Sequence, residues 1–148
     1  MIFILTAPIG SGKTTSLIQW SDQNNVHGIL TPVVGDKRVF MNASTKEQFS
    51  MEASGNEEVL RVGKFVFSKA GFEKAILIIR DAIQQEGWLI IDEIGPLELR
   101  GEGFHDILEE VLAKRKERII LVVREGSAGL VKELFKTGAM LIDNIDII

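Results

Sequence analysis

The sequence predicts an α/β fold: a mostly parallel central sheet with helices on both faces and an antiparallel β insertion. Three observations carry this. Short apolar runs that suit buried strands recur at residues 2–5, 28–34, 88–91 and 119–123, and most of the stretches between them repeat their apolar residues at helical spacing. A glycine-rich turn joins the first run to the first helical stretch. Between residues 38 and 68 the helical period gives way to alternation.

In chain order, Ile2-Phe3-Ile4-Leu5 is a short buried strand, and Leu17, Ile18 and Trp20 mark one side of a helix. Residues 28–34 read as a second strand ended by Gly35-Asp36. In the insertion, Phe49, Met51 and Ala53 alternate with Ser50 and Glu52. Residues 59–62 and 65–67 are β-prone, and the turn formers Ser44-Thr45 and Ser54-Gly55-Asn56 separate the pieces. Phe72, Ala75, Ile76, Ile79 and Ile83 restore a helical face that runs to Gly87. Trp88-Leu89-Ile90-Ile91 is apolar throughout, as a strand covered on both sides requires. Phe104, Ile107, Leu108, Val111 and Leu112 define the next helix, residues 119–123 the next strand, and Leu130, Val131, Leu134 and Phe135 a last helix. The tail from 140 to 148 supplies an edge strand. Strands separated by helices imply right-handed crossovers and parallel pairing. Residues 1–148 read as one domain.

Composition narrows the function. The 148 residues suffice for one sizeable core. With 17 basic and 21 acidic residues, a net charge of -4, the chain lacks the electropositive surface that charge-driven nucleic-acid binding needs, so nucleic acid is not expected as a partner. The absence of cysteine excludes disulfides and thiolate metal sites. No charged segment precedes the first apolar run, as a signal peptide would require. No run approaches the roughly 20 apolar residues of a membrane span. The expected location is the cytoplasm, with no membrane partner.

The densest chemical signal is Ala7-Pro8-Ile9-Gly10-Ser11-Gly12-Lys13-Thr14 between the first strand and helix. Its glycines let successive backbone N–H groups curl around phosphates, and the helix that starts near Gly12 points its positive dipole end at them. Lys13 would reach the β and γ phosphates, the Thr14 hydroxyl would sit on Mg²⁺, and Thr15 would lie near the α phosphate. Ala7 occupies a position that is usually glycine. A second signal is Asp92-Glu93, two carboxylates at the C-terminal end of an apolar strand, where ligands bind in open α/β sheets. Asp92 suits Mg²⁺, in line with Thr14, and Glu93 suits the orientation and deprotonation of an attacking water.

Gly10-Ser11-Gly12-Lys13-Thr14-Thr15, Gly28-Ile29-Leu30-Thr31-Pro32, Arg61-Val62-Gly63-Lys64 and Ile91-Asp92-Glu93-Ile94-Gly95-Pro96-Leu97-Glu98-Leu99 follow one another along about residues 2–135. In that order they resemble the THEP-type, or cancer-related, nucleoside-triphosphatase family. The resemblance implies a RecA-like P-loop fold and slow, Mg²⁺-dependent hydrolysis of several nucleoside triphosphates. The chain departs from the family at Ala7, at Pro96, where lysine is usual, and at Val33-Val34-Gly35, where an arginine is expected.

Phosphoryl transfer also calls for a cation on the γ phosphate. Arg38, Arg100 and Arg124 lie at strand or motif ends. Arg124 would emerge beside the nucleotide if its strand is parallel to the central ones, and Arg100 could swing to the same rim. The catalytic set read from the sequence is thus Lys13, Glu93, Arg124 and Arg100. Other residues have plainer readings. His27 and His105 have no second ligand at metal spacing, the phenylalanines of the insertion read as packing, and the run 114–118 reads as a solvated helix end. Hydrolysis of ATP, GTP or related triphosphates leads, and no guanine-reading Asn-Lys-x-Asp string chooses between bases. Transfer to a small molecule or nucleotide in a pocket of the insertion, and a nucleotide-dependent switch that assembles with a protein partner, are the alternatives.

Overall fold

The computed structural model describes residues 1–7 and 12–148. The chain alternates strands and helices as its periodicity requires. β1 (Ile2–Ala7) leads to α1 (Lys13–Ser21), then β2 (Val26–Leu30), β3 (Val33–Val34), β4 (Lys37–Asn42), β5 (Gln48–Ser50), β6 (Val59–Val62) and β7 (Phe65–Ser68). α2 (Lys69–Ala82), β8 (Trp88–Ile94), α3 (Pro96–Leu99), α4 (His105–Lys114), β9 (Ile119–Arg124), α5 (Ala128–Leu134), β10 (Met140–Ile142) and a 3₁₀ turn at Ile145–Ile147 follow.

The main sheet has the order β10-β1-β9-β8-β2-β4-β3, with β5 pairing β4. The first five strands of that order run parallel, and β4 turns the sheet antiparallel. β9 therefore lies between the strand that precedes the glycine-rich loop and the strand that carries Asp92. Alternation along the central strands feeds two cores. Leu89, Ile91, Leu121 and Val123 pack with Phe72, Ala75 and Ile79 of α2 and Ile107, Leu108 and Val111 of α4. On the other face Ile90, Ile120 and Val122 pack with Leu17 of α1 and with Ile142 and Ile145 of the tail. β2 and β8 approach closely at Gly28, which has a φ of 109° and where an added Cβ would collide with the Ile90 carbonyl.

The structure refines three expectations. The strand expected over 28–34 divides at Thr31-Pro32, because proline biases the residue before it away from uninterrupted pairing and removes a ladder donor. The insertion divides too: β4 and β5 extend the main sheet, whereas β6 and β7 form their own hairpin, tied back by a bridge from Glu52 to Phe67. α2 ends at Ala82, before Gly87. There Arg115, expected at a solvated helix end, donates through Nη1 to the carbonyls of Ala82, Ile83 and Gln85, supplying the last turn of a neighbouring helix with partners.

Candidate active site

Gly12, with a φ of 82°, turns the chain into α1, so that Lys13 and Thr14 occupy the helix's first turn. Pro8, Ile9, Gly10 and Ser11 of the expected loop lie outside the described residues. Opposite this turn, β8 delivers Asp92 and Glu93. The register with β9 pairs Asp92 with Val122 and Ile94 with Val123, so Glu93 is an extra residue set out of the ladder. That irregularity separates the two carboxylates. Asp92 is fully buried, and Glu93 faces a cleft of about 250 Å³.

The contacts are specific. Thr14 donates its hydroxyl to Asp92 Oδ2 at 3.3 Å, and the Thr31 backbone N–H donates to the same oxygen at 3.1 Å. Lys13 Nζ lies 3.0 Å from Glu93 Oε2, and Arg38 Nη1 lies 3.9 Å from Glu93 Oε1. Burial pushes the Asp92 carboxyl up to about 6; the Thr31 N–H opposes this, nearby Glu93 adds to it, and the Lys13 charge opposes it. Asp92 Oδ1 is buried with no hydrogen-bond partner among the described residues. An orphaned carboxylate oxygen beside a threonine hydroxyl fits a hard divalent cation, which takes oxygen ligands from protein, phosphate and water. Thr14 and Asp92 are the residues that would hold it.

Thr15 also lines the cleft, and Ala7 is the last residue of β1. Arg124 stands opposite Ala7 in the β1–β9 register and reaches the cleft, with its Nε buried and unpartnered among the described residues. Arg100 is placed elsewhere: its Nε donates to Glu102 at 2.6 Å, its Nη2 donates to the Arg61 carbonyl, and it does not line the cleft. Arg38, which the sequence reading named as a strand-end arginine but left out of the catalytic set, is the one that stands beside Glu93. Its signal was weak, because Arg38 enters from an antiparallel strand that follows no motif. The Thr31 N–H was also missed as a site group, although Thr31 stands in the Gly28–Pro32 string.

A family profile described as NTPase matches residues 2–146. Nucleoside-triphosphatase THEP1 of Methanothermobacter thermautotrophicus is 33% identical over 76% of this chain and 71% of its own length. This chain belongs to the THEP-type nucleoside-triphosphatase family. THEP1 of Thermotoga maritima is 26% identical over 90% of this chain and 80% of its own length. The crystal structure of THEP1 from Aquifex aeolicus matches with a TM-score of 0.72 at 26% identity, covering 99% of this chain and 91% of that one. The solution structure of a human cancer-related nucleoside triphosphatase shares the fold, with a TM-score of 0.64 at 23% identity over 96% and 87% of the two chains. The protein is thus an NTPase enzyme with a P-loop, RecA-like fold. Within the THEP-type pattern, the departure at Pro96 has a local reason: Pro96 is the first residue of α3, where its missing N–H has no helical acceptor and its fixed φ suits the turn. No helix among the described residues is long and apolar enough to cross a membrane.

Proposed function

We propose that this NTPase cleaves the β–γ phosphoanhydride of ATP, GTP and related triphosphates, slowly and with Mg²⁺, with water as the acceptor. The observation that carries the reading is the convergence of Lys13, Thr14 and Glu93 on one cleft at the C-terminal end of the parallel strands, with the buried Asp92 accepting from Thr14 behind its wall. Magnesium, when bound, neutralises charge on the β and γ phosphates. The Lys13 ammonium binds the same oxygens, which requires it to leave Glu93; triphosphate entry and release of Glu93 are therefore one event. The freed Glu93 carboxylate orients a water and accepts its proton as that water attacks the γ phosphorus. Arg38 and Arg124 supply positive charge to the γ phosphate in the transition state.

Glu93→Gln tests this. The amide keeps the shape but accepts no proton, so single-turnover hydrolysis should fall on the order of a hundredfold. Calorimetric affinity for Mg-triphosphate should hold or improve, because Lys13 no longer has a charged competitor. Wild-type turnover in this variant would remove Glu93 from the chemistry.

A further inference from the structure

A second cavity, of about 190 Å³, opens off the nucleotide cleft. The two cavities share a wall made of Arg38, Glu93 and Arg124, while Lys13, Thr14 and Thr15 line only the first. With Glu93 at the γ end, as the proposed function has it, and Thr15 toward the α phosphate, as the loop motif implies, the second cavity begins where the γ phosphate would stop. Its other walls are mostly apolar. Val62, Phe65 and Phe67 come from the β6–β7 hairpin, Phe72 from α2, and Pro96 and Leu97 from α3. Strand alternation puts Phe65 and Phe67 on one face, with ring planes 2° apart and centroids 6.0 Å apart. Such walls suit a flat body, and the volume is below the roughly 300–1,000 Å³ of pockets for drug-sized ligands.

Two carboxylates border this cavity, and only one is available to a ligand. Glu98 is 2% exposed and accepts the Gly95 N–H on Oε1 and the Phe104 N–H on Oε2, each at 2.8 Å. Among the described residues, Glu93 is held by side chains that the nucleotide would recruit, Lys13 and Arg38. A simple packing gap would have no reason to end on a movable carboxylate and two guanidinium groups.

We propose that this cavity is an acceptor site for a small aromatic alcohol, whose ring lies against the phenylalanines and whose hydroxyl reaches Glu93 in place of water. This rests on the nucleotide site proposed above. In the step, Glu93 takes the hydroxyl proton, the acceptor oxygen bonds to the γ phosphorus, and the bond from that phosphorus to the β–γ bridging oxygen breaks. The nucleoside diphosphate leaves with the electron pair, and the acceptor becomes a phosphate monoester.

The test incubates the protein and Mg-ATP separately with benzyl alcohol, 2-phenylethanol and 4-hydroxyphenylethanol, with glycerol as the apolar-free control. Phosphorus NMR reads monoester, and a phosphate assay reads hydrolysis. At least one aromatic alcohol should give ester about tenfold above glycerol, in keeping with the discrimination that a hydrophobic pocket supplies. Val62→Trp, which fills the cavity, should lower ester about tenfold while phosphate release stays within about twofold. Phe65 is half exposed, so Phe65→Ala should fold normally and lower ester by a smaller factor. Phosphate release with no ester from any of the three overturns the acceptor site and leaves the hydrolase reading standing. Neither product overturns the nucleotide-site reading as well. Ester undiminished in both variants overturns the placement of the acceptor in this cavity.

Discussion

Asp92 and Glu98 lie six residues apart, both nearly or wholly out of water, and burial pushes each carboxyl up to about 6. Their partners differ. Glu98 spends both oxygens on backbone N–H groups, one at the start of α3 and one just before α4, and Gly103 leaves room for it because a Cβ there would strike the carboxylate. Asp92 takes two donors on Oδ2 and none from the described residues on Oδ1. A raised carboxyl alone therefore does not mark a ligand site; what distinguishes Asp92 is an oxygen without a donor among the described residues. Glu98 joins α3 to α4, and Asp92 is the carboxylate that we propose takes a cation.

Glu98→Ala should have the strongest consequence. It strands two buried N–H groups, so urea denaturation should show a loss of about 3 kcal/mol, while the folded protein keeps its affinity for Mg-triphosphate. Full stability with lost binding would move Glu98 into the site. Asp92→Asn should act in the opposite direction on stability. The folded carboxyl titrates near 6 and the unfolded one near 3.8, so the folded state holds the proton more firmly. The metal-free wild type accordingly loses stability as pH rises from about 4 to about 6. The amide removes this loss, and its advantage should grow through the same window to about 1–2 kcal/mol at neutral pH, less than the full shift because its N–H₂ takes the place of an unpartnered oxygen. Thermal melts across pH would show it, and an advantage that does not change with pH would contradict the assignment. A smaller contrast separates the arginines. At least one of Arg38→Ala and Arg124→Ala should lower turnover more than about tenfold with little change in binding, and Arg100→Ala should stay within about twofold. Steady-state rates decide, and a strong defect in Arg100→Ala alone would restore it to the cleft.

Much of this was legible in the sequence because the relevant signals are local. Apolar runs and helical periods gave β1, β8, β9, α2 and α4, and the positions of Lys13, Thr14, Asp92 and Glu93 follow from motifs at strand ends. What was not legible depends on pairing across long separations. Nothing local says that β4 would fold back beside β2 and bring Arg38 to Glu93, or that Arg100 would turn to Glu102 and Arg61. Nor does the run around Arg115 announce that it would supply the end of α2. The hydrophobic alternation of 59–68 reads equally well as packing or as a cavity wall; only the tertiary placement of the β6–β7 hairpin beside α3 separates them.

On the proposed function, the Asp92 oxygen that has no partner among the described residues, and not the satisfied carboxylate of Glu98, answers to the metal. The direct measurement is calorimetric triphosphate affinity over a Mg²⁺ titration in wild type, Asp92→Asn and Glu98→Gln. Wild type and Glu98→Gln should both bind at least about tenfold more tightly with Mg²⁺ than without it, a difference of about 1.4 kcal/mol, and Asp92→Asn should lose that dependence. Asp92→Asn with wild-type Mg²⁺ dependence, or Glu98→Gln without it, would contradict the claim.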